Sequence, residues 1–239
     1  HIITNRNKGA IEDHFDHSYE LEDKLKGNES KKKIYEDVLA CSNFGNIYFL
    51  RQKETKGLGH AVLCAKNFVG NEPFAVLYGD DVILSETPCT KQLCDAYEKY
   101  GKGVVGVKEV PGMAITKYCS LKTEPLEGNC YTCSDMIEKP KPEEIMGNFS
   151  ILGRVVLPPQ IFDILEKTPL GAGNELQLTD AMKTLAQTDG VVAVDYEGVR
   201  YDMGNKFGIL QANIEVGLKH PETKEELKAY LKKIAADLD

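Results

Sequence analysis

An acid and a base stand side by side in Glu138-Lys139-Pro140, just before the proline-rich turn Pro140-Lys141-Pro142. A β-strand sends adjacent side chains to opposite faces, so Glu138 and Lys139 do not pair and each needs its own partner. We expect the strand to end here, because proline cannot donate to a β ladder. Lys139 then offers a cation to an anionic ligand such as a phosphate, and Glu138 offers an acceptor to hydroxyl groups. A solvated strand end is the alternative for this motif taken alone.

Two further acidic positions follow predicted strands. Asp80 and Asp81 come directly after an apolar run over residues 74–78, which is typical of a strand covered on both faces. In a doubly wound fold, ligands bind at the carboxyl edge of the sheet, and carboxylates beside phosphates there bind Mg²⁺. We expect Asp80 to face this cleft and Asp81 to cap the next helix or turn.

Asp202 follows a second predicted strand and precedes Gly204, so it also lies at a strand end. Each of these acids alone is also compatible with a helix N-cap. Asp80 and Asp202 converging on one Mg²⁺ would instead suit an in-line displacement at phosphorus. The sequence therefore predicts a magnesium site built from two strands.

A glycine-rich turn precedes a helix predicted over residues 61–67. Gly57 and Gly59 there let backbone N–H groups approach a ligand near the positive end of the helix, and a plain tight turn is the alternative. Gln52 stands upstream, and its amide is both donor and acceptor, so it can pair with the N3–H and a carbonyl of a pyrimidine. An ordinary surface glutamine is the alternative. No Ser-His-Asp set is apparent, and a phosphate nucleophile that is ionised near neutral pH needs no general base.

The elements that must position these residues alternate between helix and strand in the first half of the chain. We predict helices from about residue 10, over 30–40 with Ser30 as N-cap, over 61–67 and over 91–99, and strands over 46–50, 74–78 and 103–107. Later strands are predicted over 118–122, 131–138, 149–156, 191–195 and 199–201, and later helices over 158–167, 176–187, 206–218 and 223–235. The pattern predicts one α/β domain over residues 1–239, a doubly wound, mostly parallel sheet with additional β-strands over the ligand cleft and a C-terminal helical segment over 206–239.

Composition limits the partners and the compartment. The 239 residues carry a formal net charge of -8 and 42% hydrophobic side chains, which suffice for one large core. An acidic chain repels nucleic acid and anionic membranes, and no apolar run approaches the length of a membrane span, so we expect no nucleic-acid and no membrane partner. A cytoplasmic protein with reduced thiols is expected, because the seven cysteines are odd in number and mostly scattered, at positions 41, 64, 89, 94, 119, 130 and 133.

Five motifs in fixed order carry a family resemblance. They are QKETKGLGHAV at 52–62, GDD at 79–81, EKP at 138–140, GNELQLTDA at 173–181 and RYDMGNK at 200–206. Together they resemble the bacterial UTP–glucose-1-phosphate uridylyltransferases of the sugar nucleotidyltransferase superfamily, over essentially the whole chain. The resemblance implies a Rossmann-like nucleotidyltransferase fold with extra strands over the sugar site, and a homodimer or homotetramer.

The resemblance also implies an activity and its residues. In a Mg²⁺-dependent transfer, the phosphate of glucose 1-phosphate attacks the α-phosphorus of UTP and yields UDP-glucose and pyrophosphate. Carried over by motif, the roles are these: Gln52, Gly57 and Gly59 bind the nucleotide; Asp80 and Asp202 bind Mg²⁺, with Asp80 also catalytic; Glu138, catalytic Lys139 and Glu175 bind the sugar phosphate.

Three departures from the family pattern leave alternatives open. The family's N-terminal Gly-rich loop is not found in this sequence, and Ile2-Ile3-Thr4 resembles the end of a strand, so we expect a chain that lacks the family's first strand and this loop. Cys119 and Val155 stand where relatives usually have Gly and Tyr, which bears on sugar selectivity. The alternatives are a nucleotidyltransferase for another hexose 1-phosphate, and a noncatalytic nucleotide-sugar-binding fragment or subunit.

Overall fold

The computed structural model describes residues 1–236, which group into two compact units. Unit 1 consists of His1–Asn71 and Phe162–Ala181, and unit 2 consists of Glu72–Ile161 and the chain from Met182 onwards. Helices α7 (Gln160–Leu165) and α8 (Leu178–Thr188) each contribute residues to both units. No helix within the described residues is both long and apolar enough to span a bilayer.

Unit 1 is mainly helical. Strands β1 (Ile2–Thr4) and β2 (Phe49–Arg51) form a parallel pair. The helices are α1 (Gly9–His14), α2 (Tyr19–Leu25), α3 (Lys32–Ser42), α4 (Leu58–Leu63) and α5 (Lys66–Val69). The predicted Ser30 cap is wrong: the Asn28 side chain accepts from Ser30 N at 3.1 Å and begins a short 3-10 turn before α3.

A six-stranded sheet forms the centre of unit 2. Its strands are β3 (Phe74–Leu77), β5 (Gly103–Glu109), β6 (Cys119–Glu127), β7 (Cys130–Glu138), β8 (Phe149–Leu157) and β9 (Val191–Asp195). Their order is β3-β8-β5-β9-β7-β6, with β5 parallel to β9 and every other neighbouring pair antiparallel. It follows that β3, β5, β9 and β6 run in one direction, and β8 and β7 run in the other. The predicted α/β fold is confirmed, and its central sheet is mixed, with four of the six strands in one direction.

A second strand pair and the C-terminal helices complete unit 2. Strand β4 (Asp81–Leu84) pairs antiparallel with β10 (Val199–Asp202). Helix α6 (Cys89–Tyr100) packs on the sheet through Leu93, which lies in one cluster with Val104 and Tyr196. Helices α9 (Lys206–Gly217) and α10 (Lys224–Ala236) form the predicted helical end.

The prediction that residues 74–78 form a strand covered on both faces is wrong. Among the described strands, β3 pairs only with β8 and lies at an edge of the sheet. Its alternate residues are exposed, and Leu77 retains 55% exposure. A short apolar run is compatible with both environments, and only the strand order distinguishes them.

Candidate active site

Backbone contacts hold the turn that carries Asp80 in unit 2. Asp80 lies between β3 and β4, and its carbonyl oxygen accepts from Met203 N at 2.7 Å. The Arg154 guanidinium donates to Tyr78 O at 3.3 Å and to Asp81 O at 3.0 Å, on either side of Asp80. The turn is therefore fixed through its main chain, which leaves the Asp80 side chain exposed.

The carboxylates of Asp80 and Asp202 converge on a space that Gly204 leaves open. A Cβ atom placed on Gly204 would lie 3.0 Å from Asp202 Oδ1 and 3.0 Å from Asp80 Oδ2. Gly204 N donates to Asp202 Oδ1 at 2.9 Å and fixes this carboxylate. The N-cap of α9 is Asn205, whose side chain accepts from Gly208 N, so Asp202 does not cap the helix.

Two converging carboxylates suit a magnesium ion that takes its other ligands from a substrate. Within residues 1–236 there is no group of three or more His, Cys, Asp or Glu side chains that could hold a metal ion. Mg²⁺ binds through one or two carboxylates together with phosphate oxygens and water, because it gives up its waters reluctantly. The donor set of Asp80 and Asp202 therefore fits this ion.

Asp81 does not cap a turn or a helix, which corrects the prediction. Its side chain is 6% exposed and accepts from Arg200 Nε at 2.5 Å. Burial raises the pKa of the Asp81 carboxyl, while the Arg200 guanidinium acts in the opposite direction. Arg200 Nη2 also lies 3.5 Å from Asp202 Oδ2, so one cation contacts a structural carboxylate and a predicted metal ligand.

Tyr118 links the acidic group to Glu138-Lys139. Its hydroxyl donates to Asp202 Oδ2 at 3.4 Å, and its ring lies 5.7 Å from the Arg200 guanidinium carbon. Its carbonyl oxygen accepts from Lys139 N at 2.7 Å. Sequence reasoning missed both Tyr118 and Arg200, although Arg200 lies within the quoted RYDMGNK motif.

Lys139 does not follow the strand geometry predicted for it. Strand β7 ends at Glu138, which pairs with Cys119 of β6, and Lys139 adopts a left-handed backbone with φ 46°. The side-chain direction of Lys139 is therefore set by this turn and by its hydrogen bond to Tyr118, not by strand alternation. Its side chain is exposed.

The predicted nucleotide residues form a separate group in unit 1. Gln52 Nε2 donates to Gly57 O at 3.1 Å and lies 3.0 Å from His60 Nδ1. Gly59 N donates to Leu176 O at 2.9 Å. The predicted use of the Gly59 N–H toward a ligand is therefore wrong, because this group already has an acceptor.

Close packing explains both glycines. A Cβ on Gly57, whose φ is +98°, would lie 2.8 Å from Glu175 Cβ, and one on Gly59 would lie 2.7 Å from Leu176 O. Glu175 thus lies beside Gly57, with its carboxylate exposed and 3.4 Å from Gln177 Nε2. Sequence reasoning missed His60, although it belongs to the same GLGHAV motif.

The two positions that depart from the family pattern are both buried. Cys119 Sγ accepts from Ile151 N at 3.2 Å, and burial raises the pKa of this thiol to about 11. Val155 is fully buried in β8, where its register partners are Val76 of β3 and Val105 of β5. Both side chains therefore belong to the core of unit 2.

The nucleotidyl transferase family model matches residues 2–217, and the chain belongs to this family. Two curated relatives are the UTP–glucose-1-phosphate uridylyltransferases of Staphylococcus epidermidis and Bacillus subtilis. They are 48% and 46% identical over 98% of this chain, which spans 81% and 78% of their lengths.

Solved structures agree with this relationship. A UDP-glucose pyrophosphorylase complexed with UDP-glucose is 35% identical, with a TM-score of 0.79 over 97% of this chain and 80% of its own. A UTP-bound enzyme of the same kind from Acinetobacter baumannii is 33% identical, with a TM-score of 0.81 over 96% of this chain and 81% of its own. The fold and the sequence are thus similar to those of proteins named for one activity, uridylyl transfer between UTP and glucose 1-phosphate.

Proposed function

We propose that this protein transfers a uridylyl group from UTP to α-D-glucose 1-phosphate and releases UDP-glucose and pyrophosphate. The relatives named for this reaction match nearly the whole chain. The observation that carries the proposal is the convergence of Asp80 and Asp202 on the space above Gly204, in a chain that is 46–48% identical to such enzymes. Two converging acids suit a phosphate-bound Mg²⁺, which binds through one or two carboxylates together with phosphate oxygens and water.

Asp80 and Asp202 hold the magnesium ion in this proposal. When bound, the ion neutralises charge on the phosphates and favours in-line displacement at the α-phosphorus. Gly204 leaves the space open, and its N–H holds the Asp202 carboxylate in one orientation. Arg200 and Tyr118 fix the second oxygen of Asp202.

Lys139 binds the phosphate of glucose 1-phosphate, and Glu138 accepts from its sugar hydroxyls. The attacking atom is a phosphate oxygen that is already ionised, so the reaction needs orientation rather than a general base. The exposed Lys139 ammonium, on a turn fixed by the Tyr118 carbonyl, supplies that orientation. For Glu175, which is exposed beside Gly57 in unit 1, we propose contact with a sugar hydroxyl.

Gln52 and Gly57 bind the uracil ring. The Gln52 Oε1 atom accepts from N3–H, because its Nε2 atom is already used by Gly57 O and His60. Within the described residues no acceptor is found for Gly57 N–H, which donates to a ring carbonyl in this proposal. Gly59 contributes the close packing that allows this turn.

We also propose a cytoplasmic homodimer or homotetramer. All seven cysteines are free thiols, which suits a reducing compartment. Phe207 and Leu210 on α9 are 69% and 57% exposed, and such large exposed apolar side chains favour an interface. Size-exclusion chromatography with light scattering measures the molar mass of the assembly. A molar mass equal to one chain would contradict this proposal.

Pyrophosphate release and UDP-glucose formation, measured with UTP, Mg²⁺ and a panel of hexose 1-phosphates, test the activity. We expect glucose 1-phosphate to be the preferred acceptor. Asp80→Asn and Asp202→Asn should each lower kcat about a hundredfold or more, since each weakens the binding of the cation that stabilises charge at the phosphates. The exposed Asp189→Asn serves as the control and should leave the rate unchanged.

Three other outcomes of these measurements would contradict parts of the proposed function. Faster turnover with another hexose 1-phosphate would support a different sugar nucleotidyltransferase. Binding of UDP-glucose without turnover would support a noncatalytic subunit. Activity that survives both Asp→Asn changes would overturn the assignment of the metal site.

A further inference from the structure

A neighbouring carbonyl shows which atom of the Gln52 amide is the nitrogen. Amide oxygen and nitrogen have similar shapes, and their assignment follows from the partners they meet. The Gln52 amide atom 3.1 Å from Gly57 O must be the nitrogen, because a backbone carbonyl can only accept. The NH₂ group therefore points toward the Gly57 turn, where a second acceptor would strengthen this orientation.

His60 meets the same nitrogen. Its Nδ1 atom lies 3.0 Å from Gln52 Nε2, so both hydrogens of the amide have an acceptor when Nδ1 carries the lone pair. A neutral imidazole has one donor and one acceptor nitrogen, so its proton is then on Nε2. With His60 in this tautomer, both donors of Gln52 are used within unit 1, and only Oε1 is left for a ligand.

An amide that presents only its oxygen distinguishes between pyrimidines. The N3 position of uracil carries a hydrogen, whereas N3 of cytosine is an acceptor. Oε1 therefore pairs with uracil but opposes the lone pair of cytosine, and an unpaired, desolvated acceptor costs more than a lost hydrogen bond. Rotating the amide to suit cytosine would turn Oε1 toward two acceptors, Gly57 O and His60 Nδ1.

We propose that His60 is a positioning residue that makes the site selective for uracil over cytosine, by holding the Gln52 amide with its oxygen toward the base. This inference rests on the proposed function, because it takes Gln52 as the residue that meets the nucleobase. Thymine has the same N3–H, so His60 does not separate UTP from dTTP. The other role open to His60 is structural, as a residue of the first turn of α4.

Two substitutions at one position separate the roles. His60→Asn keeps an acceptor, since the oxygen of the new amide takes the place of Nδ1, whereas His60→Leu keeps bulk and removes the acceptor. We expect His60→Leu to reduce the UTP to CTP ratio of kcat/KM about three- to tenfold, the effect of one hydrogen bond. The change should be in KM for UTP, with kcat nearly constant, and His60→Asn should retain the ratio.

Calorimetric titration with UDP and with CDP gives the ratio of the two binding affinities, which tests the same base selectivity without catalysis. The exposed His14→Leu in the same unit is the matched control and should leave both ratios unchanged. Nitrogen-15 chemical shifts of the unsubstituted protein near pH 8 give a further test that needs no variant. We expect the His60 proton on Nε2 and an unprotonated Nδ1.

The outcomes distinguish this proposal from the proposed function. If the unsubstituted protein uses UTP but folded His60→Leu keeps the full ratio, or loses UDP and CDP binding equally, the positioning role is wrong and the function stands. A His60 proton on Nδ1 also overturns the positioning role. If the unsubstituted protein neither binds UDP nor turns over UTP, both proposals fail.

Discussion

Arg200 connects the acidic residues at the paired ends of β4 and β10. Its Nε donates to Asp81 Oδ1 at 2.5 Å, and its Nη2 lies 3.5 Å from Asp202 Oδ2. Asp81 and Asp202 are register partners in the antiparallel ladder, so the guanidinium fork contacts both strands. The same side chain thus stabilises a strand pair and limits the rotation of a predicted metal ligand.

Removing this cation should destabilise the protein strongly. Arg200→Met leaves Asp81, which is 6% exposed, without its charged partner, and breaking such a pair costs about 3–5 kcal/mol in the free energy of unfolding. Urea unfolding measures the loss. Lys91→Met removes a cation from the exposed pair with Asp95 and should change stability by about 0.5 kcal/mol or less. A loss below about 1 kcal/mol for Arg200→Met would contradict the structural role of the pair.

Filling the space above Gly204 should weaken metal binding without unfolding the protein. In Gly204→Ala the new Cβ lies 3.0 Å from one oxygen of each carboxylate, so the carboxylates must separate. We expect about a tenfold or greater loss of Mn²⁺ affinity by electron paramagnetic resonance in the presence of UTP, the scale seen when metal-site supports are changed. Gly79→Ala is the control, since nothing lies within 4 Å of its added Cβ. Equal affinities in both variants would argue against a metal between Asp80 and Asp202.

Much of this acidic group could be predicted from sequence, for a physical reason. Asp80 closely follows the apolar strand β3 and Asp202 ends β10, and strand ends in an α/β fold are where ligands bind. In the structure their convergence comes from the antiparallel pairing of β4 with β10, in which Asp202 is the register partner of Asp81, the neighbour of Asp80. The Arg200–Asp81 pair depends on the same pairing, between two strands far apart in sequence. A four-residue strand that starts at Asp81, inside the turn motif itself, has no period long enough to detect.

The remaining errors have local causes. The helix predicted from residue 61 begins at Leu58, because Gly57 at φ +98° acts as the N-cap residue without a side-chain cap. The prediction of strand alternation was wrong at Lys139, because this residue has a left-handed backbone stabilised by a hydrogen bond to Tyr118. Tyr118 lies before the β6–β7 hairpin and Lys139 lies after it. The Gln52–His60 contact was missed, since it requires the chain to turn back at Gly57.

Lys139→Gly should separate catalysis from stability. The left-handed φ of 46° costs a non-glycine residue about 1 kcal/mol, so glycine should leave the free energy of unfolding unchanged or raise it slightly. Loss of the ammonium should raise KM for glucose 1-phosphate and lower kcat together, because the phosphate loses both its partner and its orientation.

Steady-state kinetics and urea unfolding on the same samples test this prediction. Lys139→Ala should lose the same activity but none of the backbone strain. Lys141→Ala removes an exposed cation two residues away and should change neither measurement. Full activity in Lys139→Gly would exclude Lys139 from the sugar-phosphate site.

Alkaline pH should weaken the fold through a buried thiol of β7. Cys133 is 2% exposed, and burial raises the pKa of its thiol from 9.0 to about 12. Above about pH 9 this group ionises in the unfolded chain but stays protonated in the folded protein, so the unfolded state binds fewer protons. Its contribution to stability is complete below pH 9 and is lost toward pH 12, at about 1.4 kcal/mol per pH unit.

Urea unfolding of Cys133→Ala between about pH 8 and pH 10.5 should therefore show a shallower decline of stability with pH than the unsubstituted protein. Val191→Ala, at the register partner in β9, should lower stability at every pH and keep the steeper decline. Parallel curves for Cys133→Ala and the unsubstituted protein would show that the thiol does not titrate in this range.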